Sequence, residues 1–210
     1  MRPKRFTYTL AALDADGYVA SANVNSVAVG AAYTLRSAAT HPGDGCSHPV
    51  TIYSAGDITG TVFTVTGTDA EGRSISEDIT GLNNDTATST KYFADVTSVV
   101  RKSGATGAVA FTVGFTAAAR TPIYPVNTFG TVGPVVMVDI GGTVTYSAMA
   151  TNGDVFSIAS DTLLFDEITG MNGLTADGSG SPVAGATGIR IDVASHTSGT
   201  LAVTYSQGRG

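Results

Sequence analysis

Alternation with a period of two residues dominates this chain and leaves few folds open to it. Val109, Phe111, Val113 and Phe115 alternate with Ala110, Thr112 and Gly114. Ile189, Ile191 and Val193 alternate with Arg190, Asp192 and Ala194, and Leu201, Val203 and Tyr205 with Ala202, Thr204 and Ser206. Successive side chains of a strand point to opposite faces, so each run presents one apolar face and one small or polar face, as a half-buried antiparallel strand does. Apolar spacing of the helical kind is hard to find.

Turn chemistry separates the runs. Asp69-Ala70-Glu71-Gly72 lies between residues 61–68 and 73–79 and reads as a hairpin closed by glycine. Asp14-Ala15-Asp16-Gly17 and Thr151-Asn152-Gly153-Asp154 read as similar turns, and Ser103-Gly104-Ala105-Thr106-Gly107 joins a run over 92–100 to one over 108–115. Strands recurring every 8–12 residues or so point to a sandwich or barrel. The expected fold is therefore all-β: two small antiparallel β-sandwich or barrel-like domains with an extended N-terminal arm. The stretch 117–127, with Pro122 and Pro125, separates them, because proline is confined to sheet edges and bulges. The expected segments are an arm or first strand over 1–20, a first β domain over 21–120 and a second over 121–210. The loop over 170–188 is expected to be mobile or to pack on a neighbour.

Two faint echoes run through the chain. Asp57-Ile58-Thr59-Gly60 recurs as Asp78-Ile79-Thr80-Gly81 and, altered, as Glu167-Ile168-Thr169-Gly170. Gly142-Thr143-Val144-Thr145-Tyr146 resembles the stretch from Gly199 to Tyr205. The spacing is not sustained as in a solenoid, so these read either as recurring strand-end punctuation or as chance recurrence in a chain rich in Thr and Gly.

Composition excludes several functions. Only 13% of the residues are charged and 42% are hydrophobic, the reverse of a disordered chain. The net charge is −6 and the basic residues are scattered except for Arg2, Lys4 and Arg5, so no basic face is available for nucleic acid. No run approaches the roughly 18 apolar residues of a spanning helix, and the N-terminus has no apolar core of a secretion signal. A single cysteine, Cys46, allows no intrachain disulfide and fits synthesis in a cytoplasm.

Candidate chemistry is sparse. His41, Asp44, Cys46 and His48 share a loop and offer imidazole, carboxylate and thiolate, but their spacing matches no zinc motif. Cys46 beside a histidine lacks an orienting group for nucleophilic work. Asp14 and Asp16 open like a calcium loop without its closing carboxylate, and Asp161, Asp166 and Glu167 read as a solvated strand end better than as a glycosidase pair. No catalytic residue, metal ligand or cofactor site is expected. The N-terminal run is different: Phe6, Tyr8 and Leu10 share one face of an extended segment whose Pro3 cannot donate to a ladder. It reads either as an arm that adds a strand to a neighbouring subunit or as an ordinary first strand, and Arg2, Lys4, Arg5, Phe6 and Tyr8 are the expected partner contacts.

Two stretches carry a family resemblance. Residues 50–56, 63–72 (Phe63-Thr64-Val65-Thr66-Gly67-Thr68-Asp69-Ala70-Glu71-Gly72), 75–81 and 89–99 resemble β-rich structural proteins of tailed bacteriophages. Residues 144–146, 186–193 and 197–208 are similar to a second recurring virion module. The resemblance implies a non-enzymatic virion protein, most like a capsid decoration or cement protein on the outer capsid surface. Its implied partners are the major capsid protein and further copies of itself, most simply as a trimer. A tail or head–tail connector component and a carbohydrate- or receptor-binding β module are the alternatives.

Overall fold

The computed structural model describes residues 3–36, 41–104, 107–126, 134–158, 160–182 and 185–206; Arg2, Ala105, Thr106, Asn127, Gln207 and Gly208 fall outside the described residues. Fourteen strands follow one another: β1 (Lys4–Thr9), β2 (Asp14–Asn23), β3 (His48–Asp57), β4 (Val62–Thr68), β5 (Ser74–Thr80), β6 (Asn83–Phe93), β7 (Asp95–Ser103), β8 (Ala110–Phe115), β9 (Ala119–Arg120), β10 (Tyr124–Pro125), β11 (Val135–Thr151), β12 (Asp166–Glu167), β13 (Gly178–Gly180) and β14 (Gly188–Ser206). The one helical element among the described residues is a 3-10 turn, Val24–Ser26. No helix is long and apolar enough to cross a membrane. The all-β expectation holds, with antiparallel pairing throughout and no closed barrel among the described residues.

The chain divides into two compact units. The terminal unit comprises Met1–Ala12, Asp44–Cys46 and Ala117–Gly210; the central unit comprises Leu13–Gly43 and Ser47–Thr116. The first twelve residues thus go with the C-terminal half, and the chain also visits the terminal unit briefly at residues 44–46.

The central unit has two sheets, ordered β2-β8-β3-β6 and β5-β4-β7. Alternation sets their burial, and β4 buries every second residue. Phe63 of β4 and Phe111 of β8 meet at 4.9 Å between ring centroids, so the inner faces of the two sheets pack on each other. Tyr33 closes this core, 4.8 Å from Phe111, with its hydroxyl donating to the Val24 carbonyl at 2.7 Å. The Asp69–Gly72 turn joins β4 to β5 as expected. Asp69 Oδ1 accepts from the N–H groups of Glu71 and Arg73, and Gly72 N–H donates to the Asp69 carbonyl.

Two readings of this region need correction. Asp14-Ala15-Asp16-Gly17 is no free turn; it is the start of β2, where the pairing with β8 slips between Asp14 and Val19. Extra residues bulged out of a strand look like a turn in sequence because both use short polar residues and glycine. The run over 92–100 is not one strand either. It breaks at Ala94, whose N–H bonds the Thr68 carbonyl, and its halves β6 and β7 lie in different sheets.

The terminal unit is built on one long ribbon. β11 and β14 pair from Val135↔Ser206 to Thr151↔Gly188. β1 adds beside one end of β14 (Lys4↔Tyr205 to Thr9↔Thr200), and β9 and β10 beside the other end. The ribbon folds back on itself. Phe6 pairs with Val203 and Tyr124 with Ile189, positions that an extended strand would hold roughly 45 Å apart at about 3.3 Å per residue. Their rings nevertheless stack at 5.0 Å. The bend lies at the Gly142↔Gly199 pair, where φ is +95° and +148°, followed by register shifts at Thr143/Val144 and Thr145/Tyr146. The two halves then share one core, which includes Val136, Val138, Val203 and Leu201 from one and Tyr146, Ala148, Ile189 and Ile191 from the other. The glycine-headed echoes in the sequence are these two strands, paired to each other at the bend.

Gly199→Ala tests the bend. An added Cβ collides with the Gly141 carbonyl oxygen in a backbone conformation that L-residues avoid. Thermal and denaturant unfolding should show a loss of about 2–4 kcal/mol. Ala at Gly60, where a Cβ meets nothing within 4 Å, is the control and should leave stability nearly unchanged.

Candidate interaction surface

The N-terminal segment folds as a strand of its own chain, the second of the two readings left open for it. β1 pairs with β14 on one side only among the described residues. The Leu10 N–H donates to the Gly199 carbonyl at 3.2 Å, which fixes the phase of the ladder. Lys4, Phe6 and Tyr8 exchange backbone hydrogen bonds with β14, while Arg5, Thr7 and Thr9 turn theirs outward. Pro3, at the next outward position, has no N–H to offer, a device that blunts an edge against indiscriminate pairing.

Side chains divide the same way. Tyr8 is buried and accepts a hydrogen bond from the Tyr124 hydroxyl at 2.7 Å. Burial raises the pKa of both phenols, and for Tyr124 the neighbouring Tyr8 adds to it. Phe6 is 39% exposed and lies against Tyr124 and, at 6.2 Å and nearly parallel, Tyr205. Lys4 and Arg5 are exposed; Arg5 Nη2 sits 3.3 Å from Asp139 Oδ2. That pair is solvated and worth little on its own. Of the expected contact residues, Lys4, Arg5 and Phe6 reach the surface, Tyr8 holds the strand down from within, and Arg2 lies outside the described residues.

Asp44, Cys46, His48, Asp14 and Asp16 are taken up by the structure. Asp44 Oδ2 accepts from the Ala11 N–H and its Oδ1 from the Cys46 N–H, both at 2.9 Å, so this carboxylate braces the segment after β1. Cys46 is buried in the terminal core, and desolvation, then the Asp44 charge, pushes its pKa far up, the opposite of a nucleophile. His48 belongs to the central unit, where its ring packs on Phe115 and Nδ1 meets the Thr116 carbonyl at 3.0 Å. No three His, Cys, Asp or Glu side chains converge as a metal site among the described residues. Asp14 Oδ1 accepts the Asp16 N–H, and Asp16 pairs with Arg36 at 2.9 Å. Asp166 and Glu167 are neighbours on exposed β12, so they point to opposite faces and cannot flank one bond.

Sequence reasoning missed one surface. Between β11 and β12, Phe156 is 77% and Leu164 88% exposed, with Ile158 partly so. A crevice of about 320 Å³ beside Phe156 is lined also by Val126, Asp154 and Thr187 and contains no nucleophile–base pair. The sequence shows apolar residues there in a stretch rich in turn formers, and their exposure emerges only in the fold.

No protein-family model matches the chain, and no curated protein matches it in sequence. Among solved structures it is slightly similar to the crystal structure of the infectious bursal disease virus VP2 subviral particle, at 13% identity and a TM-score of 0.21 over 97% of this chain and 71% of that one. The structure of the Gx strain of the same virus is similar at 16% identity and a TM-score of 0.19, over 97% and 70%. Overlap of this degree assigns neither a shared fold nor a shared function.

Two measurements check the site's chemistry. Cys46 should resist an exclusion-sensitive thiol reagent in the native protein and react fully once denatured; a fast native reaction would show that the brace around Asp44 opens readily. Alkali should loosen the terminal unit. Burial raises Tyr146 from 10.0 to about 12, with the charges of Asp177 and Asp139 adding to it. A folded pKa above the unfolded one gives stability that is complete below pH 10 and lost as pH rises toward about 12. Phenolate absorbance and unfolding should therefore rise together over that window, and Tyr146→Phe should remove that contribution.

Proposed function

We propose that this chain is a non-enzymatic structural protein of a tailed-phage particle, a decoration or cement protein bound to the outside of the capsid. The observation that carries the reading is the fate of its polar residues. Asp44, Asp69 and Glu77 serve as braces for strands and turns, while the stretches that resemble virion modules supply most of β3, β4, β5, β7 and β14. In the central unit, Glu77 of the resembling stretch accepts from Thr90 N–H, Thr90 Oγ1 and Lys91 N–H at 2.8–2.9 Å, tying β5 to β6.

The mechanism is interfacial. Copies that bind an assembled shell but not its dissociated subunits stabilise the shell by mass action. Several weak contacts in a symmetric oligomer multiply through avidity. The net charge of −6 suits the outer surface better than the DNA-facing side. Lys4, Arg5 and Phe6 are the proposed contacts with the major capsid protein. Truncating the strand is a poor test, because Tyr8 and Leu10 belong to the core.

The test is twofold. Quantitative mass spectrometry of purified particles should give a copy number that matches the capsid lattice. A few copies per particle would move the protein to the tail or connector, and absence would end the virion reading. Lys4→Glu with Arg5→Glu should weaken binding to undecorated shells by about tenfold or more without lowering the melting temperature.

A further inference from the structure

Charge is distributed unevenly over the terminal unit. Residues 151–182 contain Asp154, Asp161, Asp166, Glu167 and Asp177 and no Lys, Arg or His. The arginines nearest this stretch are turned inward: Arg190 lies over the Phe165 ring at 3.7 Å and joins Arg120 on Asp192. Phe156 and Leu164 therefore stand out from an acidic surface, with Asp166 and Glu167 exposed just after them.

The first strand carries the converse. Lys4 and Arg5 are the exposed cations of this unit among the described residues. Across the sheet, Arg5 is aligned with Thr204 and Thr204 with Met137, while Val135 is aligned with Ser206. Residues opposite one another in an antiparallel sheet share a face, and so do residues two apart in a strand, so Arg5, Met137 and Val135 lie on one face. Met137 is 49% and Val135 36% exposed. An apolar pair beside Arg5, whose Asp139 partner lies on the same face, thus exists on the same unit as an apolar pair beside carboxylates.

We propose that these two surfaces bind each other between copies of the chain: Phe156 and Leu164 of one copy cover Met137 and Val135 of another, with one carboxylate of β12 reaching Arg5 beside its Asp139 partner. The occupant follows from complementarity in both respects, apolar against apolar and acid against base. Large exposed side chains of this kind are the residues that anchor interfaces, and flanking opposite charges set their register. The contact deepens the self-assembly part of the proposed function but does not depend on a virion.

Light scattering on the purified full chain, over a range of concentration and salt, tests it. The wild type should self-associate, and salt should weaken it. Phe156→Ser with Leu164→Ser, and separately Arg5→Glu, should each weaken association by about tenfold or more. Leu164→Arg alone, at the most exposed of these positions, is a second probe of the loop that leaves Phe156 in place. Mixing the loop variant with the strand variant should recover association, because each supplies the surface that the other lacks. Adding Asp166→Lys and Glu167→Lys to the strand variant should recover it within one chain. A wild type that stays monomeric, association that survives either surface variant, or mixtures that fail to recover would overturn the contact. Shell binding by the loop variant, whose first strand is intact, separates this from the virion reading: shells that bind monomeric Phe156→Ser, Leu164→Ser keep the reading and reject a need for this contact, and association without shell binding does the reverse.

Discussion

The terminal unit depends on a single bend. A ribbon as long as β11 and β14 would bury only one face of a flat sheet if it stayed straight, and a flat two-stranded ribbon is barely stable alone. Gly142 and Gly199 adopt backbone conformations that a Cβ would obstruct, and two register shifts add local twist beside them. The ribbon doubles over, and its own second half becomes the surface on which its first half packs. The contacts of Tyr124 with Phe6 and Tyr205 exist only because of that fold-over, and through them the segment at β10 is fixed to the end of the ribbon that carries β1.

Much of the local structure was legible. The alternating runs at 109–115, 189–193 and 201–205 lie in β8 and β14, because period-two burial is a property of each strand by itself. The Asp-Ile-Thr-Gly echoes mark strand ends, and in each the isoleucine is buried: Ile58, Ile79 and Ile168. Pairing was not legible. Nothing local to Lys4–Thr9 says that it will lie beside residues 200–205, and nothing local to Gly142 names Gly199 as its partner. Such contacts span most of the chain, and only the whole core selects them. The bulged start of β2 and the break at Ala94 were misread for a related reason, since glycine and short polar residues mark turns, bulges and breaks alike.

The candidate surface was legible in part. Exposure of Lys4 and Arg5 follows from their charge, and the alternation that groups Phe6 with Tyr8 was visible. What differs between those two is depth: Tyr124 covers Tyr8 and shields Phe6 only partly, and that is set by where β10 docks. The loop with Phe156 and Leu164 escaped notice because apolar residues outside a periodic run look like core, and only coordinates reveal them as exposed.

The remaining question is why a chain with 17 acidic residues gathers no cluster of potential metal ligands among its described residues. The answer lies in what a β protein of many short strands demands. Each turn and strand end leaves backbone N–H groups without a ladder partner, and a carboxylate satisfies two or three of them at once. Asp44, Asp69, Glu77 and Asp154 each take two, and Asp57 takes one together with the Thr59 hydroxyl. Thr59 holds the Asp57 carboxyl below the usual range through its N–H and hydroxyl, which is how a group behaves when its charge is already in use. Sheet edges and loops left uncovered after that bracing, β1 and the loop before β12 among them, are the surfaces we propose for contact with partners.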